Sequence, residues 1–223
     1  MVVFEGFELL DVFGPLEMFG MINDRVDTVL IAEKAGPVAS RTGPKTVADV
    51  SFADAPKLDI VMVPGGFGDA DSYDILWKKN ARAVRRFVRQ GGRYLGICMG
   101  AYWAGSHYLN ILDGVDAVQY IKRPGTDTRR PHAKAMPIDW RGGAVKMFWY
   151  DGCALVGDHR RFETVARYSN GDSMAIYQDR IGLIGCHPEA EKFWYDEYSW
   201  MPRHWTGGQH HLLRDFVAEL MTR

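Results

Sequence analysis

One turn limits what this chain can fold into more than any other stretch. The apolar run Tyr94 to Ile97 reads as a buried strand, and it ends in Gly96-Ile97-Cys98-Met99-Gly100. A helix-compatible segment follows from Ala101 to Leu112 and stops at Asp113-Gly114. A nucleophile between two glycines, placed between strand and helix, is the nucleophile-elbow pattern. Its glycines leave room for a sharp turn, and the side chain projects at the carboxyl edge of the sheet. The positive end of the helix dipole favours a thiolate there. The competing reading of Cys98 is a small apolar residue closing a core strand.

Upstream, Leu58 to Val63 is a continuous apolar strand of the type buried on both faces, and it runs into Pro64-Gly65-Gly66. A glycine pair at a strand end marks a close backbone approach. Beside a cysteine elbow it suggests an oxyanion hole made by the N–H groups of Gly66 and Met99; the plainer reading is a tight strand-to-helix turn. Residues 1–4 and Thr28 to Glu33 read as further strands. Between them lies a helix with Pro15 in its first turn and Leu16, Phe19 and Gly20 facing inward. First strands of this kind usually run longer than residues 1–4, so the natural start is expected slightly upstream of Met1. Strands alternating with helices predict an α/β fold with parallel strands, helices on both faces and a site at the strands' carboxyl ends.

The second half changes character. Lys122 to Arg141 is rich in Pro, Arg and Gly without a period and reads as a long loop. Within it, Arg123, Arg129 and Arg130 are candidates for an anionic substrate, with solvated surface charges as the alternative. Ala144 to Tyr150, Phe162 to Tyr168, Met174 to Gln178 and Ile181 to Gly185 read as strands, the last three joined by turns into a small antiparallel patch. The last runs into His187-Pro188-Glu189, where a histidine can take the Cys98 proton and a carboxylate two residues on can hold its tautomer. Phe193 to Trp205 is dense in aromatics and suits a lid, a subunit contact or a packed tail. Leu212 to Met221 reads as an amphipathic final helix.

The 223 residues suit a single domain spanning 1–223. A net charge of −1 gives no electrostatic case for nucleic acid or an anionic membrane, and no run reaches the length of a spanning helix. Cys98, Cys153 and Cys186 are too widely spaced for a disulfide framework or a metal pair. They imply free thiols in a reducing, cytoplasmic setting, with Cys153 and Cys186 as buried bystanders. Nothing implies a metal or organic cofactor. The expected partner is a small-molecule substrate, with no nucleic acid and no membrane, and a homo-oligomer is left open.

Phe7 to Phe19 (FELLDVFGPLEMF), together with Leu58 to Gly66, resembles the ThiJ/PfpI family and its isonitrile-hydratase-like branch. Val84 to Tyr102 is similar to the amidotransferase-like domain at the N-terminus of some biotin–protein ligases, and Gly185 to Glu189 to the His-Pro-Glu signature of class I glutamine amidotransferases. All belong to one superfamily, so the resemblance implies a flavodoxin-like three-layer sandwich with a mostly parallel sheet. It also implies that Trp149-Tyr-Asp-Gly152 faces the site and that Asp11 lies beside the cysteine and hydrogen-bonds it. Against that, Asp11 also reads as a plain helix-start aspartate. The histidine that ThiJ/PfpI relatives often carry soon after the elbow is missing, since the matching stretch is Ala117-Val-Gln-Tyr120.

The leading expectation is a cysteine-nucleophile amidase or hydrolase cleaving a C–N bond, with Cys98 attacking, His187 and Glu189 moving protons, and Gly66 and Met99 holding the oxyanion. The alternatives are an isonitrile-hydratase-like lyase using Cys98 and Asp11, and a non-catalytic binding or redox-sensing protein.

Overall fold

The computed structural model describes residues 1–20, 26–65 and 81–223. An extended segment, 1–4, leads into α1 (Leu9–Gly20), then β1 (Ile31–Ala32), β2 (Gly36–Ala39), β3 (Lys45–Ala48), β4 (Val50–Ser51) and β5 (Ile60–Val63). Helix α2 covers 81–89 and is followed by β6 (Arg93–Ile97), α3 (Met99–Ala104) and β7 (Val115–Gln119). Strands β8 (Lys134–Trp140), β9 (Gly143–Trp149), β10 (Cys153–Gly157), β11 (Glu163–Tyr168), β12 (Ser173–Gln178) and β13 (Ile181–Ile184) precede the final helix α4 (Gly208–Leu220).

The fold is the expected α/β, flavodoxin-like one, but its sheet is mixed. The parallel part is built by β5, β6 and β13 side by side, with Val63 and Leu183 both level with Gly96. Segment 1–4 joins on the far side of β5 through Val2 N–H to the Met62 carbonyl at 2.9 Å. The antiparallel part is larger than the patch expected: β13, β12, β11, β8 and β9 run in that order, with β10 bridging β12 to β7.

Alternation along the parallel strands sends side chains into two cores. Val61, Val63, Tyr94, Ile181 and Leu183 enter one core with Ala81 and Val84 of α2 and with α3. Met62, Leu95, Ile97 and Ile184 enter the other with Leu213, Phe216 and Leu220 of α4. Helices therefore cover both faces, which is why these strands read as unbroken apolar runs. Among the described residues no helix is long and apolar enough to cross a membrane.

Four local expectations are corrected. Pro15 lies inside α1, not in its first turn, and removes the bond that residue 15 would donate to the Asp11 carbonyl. The buried face of α1 is Asp11, Val12, Gly14 and Pro15. Helix α3 ends at Ala104, not Leu112, because Gly105 turns extended and Asp116 takes the Ser106 amide at 3.0 Å. Residues 134–140, expected in a loop, form β8, paired along its whole length with β9. Pro137 masked that strand in the sequence, yet it lies beyond the last residue paired with β11, where a proline is tolerated.

The elbow glycines have steric causes. A Cβ on Gly96 would overlap the Gly100 carbonyl, and one on Gly100 would overlap the Val63 carbonyl of β5. Gly100→Ala is expected to cost about 3 kcal/mol or more, as overpacking against backbone does. Gly20→Ala, whose Cβ meets nothing within 4 Å, should stay within about 0.5 kcal/mol of wild type. Urea denaturation of both variants checks the contrast.

Candidate active site

The site is assembled at one edge of the parallel sheet from the segments that follow β6 and β13 and from the start of α1. Cys98 directly follows β6 and sits at φ 49°, a strained backbone that turns its side chain up out of the sheet. Its N–H remains in the ladder, donating to the Ile184 carbonyl at 2.8 Å. Met99 opens α3, so its N–H has no acceptor within the helix. His187 and Glu189 follow β13, and Asp11 comes from the first turn of α1, just after segment 1–4.

The three polar side chains meet in a buried cluster. His187 Nδ1 donates to Glu189 Oε1 at 2.9 Å, and Asp11 Oδ1 lies 3.8 Å from the same nitrogen. Glu189 is fully buried, and its Oε2 has no hydrogen-bond partner among the described residues. With Nδ1 committed to Glu189, Nε2 is left for Cys98, which lies near enough for a thiolate there to act on the charge of the imidazole. The Cys98 thiol has a long contact, 3.8 Å to the Tyr150 carbonyl in the Trp149–Gly152 turn. That turn therefore faces the site, as the sequence resemblance implied.

Electrostatics follow from burial. Desolvation disfavours a charged imidazole, but the Cys98 thiolate and the Glu189 carboxylate outweigh it and hold His187 well above the ordinary histidine value. Asp11 is pushed up to about 7, by burial first and by the nearby Glu189 and Glu8 carboxylates, against the pull of His187. Burial raises Cys153 and Cys186 well above ordinary thiols, in keeping with their reading as bystanders. Asp11, His187 and Glu189 also place one ligand atom each within 4.8 Å of one another, a spacing that fits a metal ion.

Gly65 belongs to this site, and sequence reasoning assigned it no individual role. A Cβ there would stand 2.7 Å from Asp11 Oδ2 and 2.9 Å from His187 Cε1, so the missing side chain makes the space in which both groups sit. The signal was present in the strand-end glycine pair, but which neighbour it served was not. Gly66, the other half of the expected oxyanion hole, lies outside the described residues.

Arg123 is engaged elsewhere, gripping Asp172 through Nε at 2.8 Å and Nη2 at 3.1 Å. The aromatic tail is divided. Tyr195 and Met201 pack with Phe148 and Ala190 in a small core of their own, and Trp194 tilts against the His187 ring at 5.4 Å. Phe193 and Trp200 stay exposed. The resulting cleft has a volume of about 420 Å³, with Cys98, His187 and Asp11 at its base and Phe148, Tyr150 and Trp194 among its walls.

Comparison with known proteins divides along the chain. Residues 1–111 match the DJ-1/PfpI family. That match takes in the first strands, α1 and the cysteine elbow. An isonitrile hydratase of Pseudomonas putida is 29% identical over 125 residues, which cover 53% of this chain and 50% of that protein. An uncharacterized protein in the cpoL 5′ region of Streptomyces lividans is 28% identical over 132 residues, covering 58% of this chain and 91% of that protein. The whole fold matches a glutamine amidotransferase of Thermotoga maritima at TM-score 0.63 and 12% identity, covering 100% of this chain and 98% of the other. A second glutamine amidotransferase structure matches at TM-score 0.60 and 16% identity over 99% of this chain and 100% of that one. The family match carries the DJ-1/PfpI part of the sequence resemblance and the amidotransferase structures carry the fold alone; the biotin–protein ligase part stays an expectation.

Asp11 makes the site pH-sensitive in a defined direction. Between its unfolded value of 3.8 and about 7, the folded protein keeps a proton that the unfolded chain releases. Its contribution is therefore complete below about pH 4 and is lost as pH rises through about 7. Asp11→Asn should flatten this decline, which is on the order of 2–4 kcal/mol, as read from urea denaturation at pH 5 and pH 8.

Proposed function

We propose that this chain is a cysteine-nucleophile amidase or hydrolase that cleaves a C–N bond in a small substrate. The observation that carries the reading is the meeting of Cys98 and His187 in one cleft, with the buried Glu189 carboxylate holding Nδ1 so that Nε2 can serve the thiol. As general base, His187 takes the thiol proton when Cys98 attacks, giving a thiolate–imidazolium pair in which Glu189 holds the imidazolium.

The thiolate adds to the carbonyl-type carbon, and the oxyanion that develops falls near the Met99 N–H, with the Gly66 N–H as the second proposed donor. His187 then returns its proton to the leaving nitrogen as the C–N bond breaks. Water attacks the thioester with His187 as base, releasing the acid and restoring Cys98. The raised Asp11 is a protonated acid over much of the neutral range and adds little opposing charge to the thiolate.

Asp11 supports a second reading. An isonitrile-hydratase-like lyase would use Cys98 as nucleophile and the Asp11 carboxylic acid as proton donor to the isonitrile carbon. Its support is the place of Asp11 in the Cys98–His187 cluster, together with the N-terminal match to isonitrile hydratase.

Acyl-enzyme formation with small amides, followed by intact mass, separates the two. Cys98→Ala should abolish the adduct, and His187→Ala or Glu189→Gln should slow its formation by about 10²–10⁴-fold. Asp11→Asn should leave most of the rate in place. Loss of turnover on an isonitrile in Asp11→Asn, with no adduct from any amide in wild type, would move the assignment to the hydratase.

A further inference from the structure

The polar cluster beside Cys98 holds one atom that neither reading of the chemistry uses. Glu189 Oε1 accepts from His187 Nδ1, but Oε2 has no hydrogen-bond partner among the described residues, and the side chain is fully buried. A carboxylate oxygen without a partner in such surroundings is costly, and a cation beside it relieves the cost. Among the described residues, the groups whose charge acts on the neighbouring Asp11 are His187, Glu189 and Glu8, with no lysine or arginine in the set. Two inner carboxyl groups thus share one imidazole as their counterpart. We infer that Asp11, His187 and Glu189 form a binding site for a divalent transition metal, with zinc the best match to the donor set. The site stands whichever bond the cleft above it breaks.

One imidazole nitrogen and two carboxylate oxygens suit zinc, with a fourth position left for water. Ligand atoms about 2.0–2.1 Å from a tetrahedral zinc stand roughly 3.3 Å from one another. The distances present bracket that value, at 2.9 Å from Nδ1 to Glu189 Oε1 and 3.8 Å from Nδ1 to Asp11 Oδ1. All three ligand atoms lie within 4.8 Å of one another, so small side-chain rotations complete the set. Residue 65 is glycine, and a Cβ there would stand 2.7 Å from Asp11 Oδ2, so no side chain from the segment after β5 crowds the ligands. Asp11 and His187 line the cleft, which gives an ion its way in. Sequence spacing does not reveal the set, because residue 11 meets residues 187 and 189 only through the fold. On binding, the imidazole proton moves from Nδ1 to Nε2, and Glu189 turns from Nδ1 to the metal. An imidazole protonated at Nε2 cannot accept the thiol proton. Zinc occupancy and general-base chemistry by His187 therefore exclude one another, which makes the site inhibitory.

Calorimetric titration of zinc chloride into the Cys98→Ala protein tests the site without the thiol and without turnover. One zinc per chain is expected. Asp11→Asn, Glu189→Gln and His187→Ala in that background should each weaken binding by on the order of a hundredfold, since a metal ligand is worth at least what a group supporting one is. His210→Gln, whose ring lies 3.9 Å from Glu191 in a second histidine–carboxylate pair, is the control that keeps the affinity. Cobalt(II) in wild type should show the visible bands of a low-coordinate nitrogen and oxygen site without a thiolate charge-transfer band. A measurement on the intact ligand set covers variants that fail to fold. In Cys98→Ala with isotope-labelled histidine, zinc should shift the nuclear magnetic resonance of His187 Nδ1 and leave Nε2 protonated. No stoichiometric binding, shifts confined to other histidines, affinity retained in any one of the three ligand variants, or binding that requires Cys98 overturns the site. Acyl-enzyme formation by zinc-free wild type is scored separately, and its absence removes the amidase reading while leaving the site. Where the adduct forms, zinc should suppress it and EDTA should restore it; adduct formation undiminished with zinc bound overturns the inhibitory role.

Discussion

The contact between the Gly100 backbone and the Val63 carbonyl is the constraint on which the site depends. It lets the turn after β6 lie directly against the end of β5, a distance no side chain would allow. Cys98 can then sit at φ 49° with its amide still in the ladder to Ile184. The backbone strain at the cysteine persists because the buried strands on either side over-determine the turn. Were the turn looser, the thiol would drop toward the sheet and lose the imidazole. The same crowding recurs at Gly65, where an absent Cβ makes room for Asp11 and His187 together.

The two halves of the chain make unequal contributions to one cluster. The half that matches the DJ-1/PfpI family provides the cysteine, the acid Asp11 and the space at Gly65. The second half provides the histidine and Glu189. The result is two carboxyl groups around one imidazole nitrogen in a region nearly closed to water. Two ionised acids there would repel each other with little screening, so one keeps its proton and the other orients the histidine. Glu189, with the short bond to Nδ1, orients; Asp11, at 3.8 Å, is the one whose proton is retained. Coupled groups of this kind titrate as a set, so a pH profile of the site describes the cluster and not one residue.

Legibility in the sequence followed the range of the interactions involved. The elbow, the apolar strands 58–63 and 94–97, the late strands and the final helix were readable because each is set by neighbours a few residues away. Helix α3 was read too long because Ser106 is claimed by Asp116, which lies beyond the helix. Strand β8 was missed because Pro, Arg and Gly dominate its surroundings, and its alternation becomes meaningful only once β9 pairs with it. Arg123 looked free for an anion and is instead held by Asp172 from a distant turn.

The sequence by itself determined the chemistry at hand: a cysteine between glycines at a strand end, a histidine and glutamate two residues apart at another, and an aspartate in an early helix. Those are local patterns, decided by chain geometry and residue type. Only the tertiary structure decided which of these groups meet, because β5, β6 and β13 are brought side by side from opposite ends of the chain. The pairing of β6 with β13 carries His187 to Cys98, and the docking of α1 carries Asp11 to His187. Burial then sets which acid holds a proton, a property of the surroundings that no stretch of sequence contains.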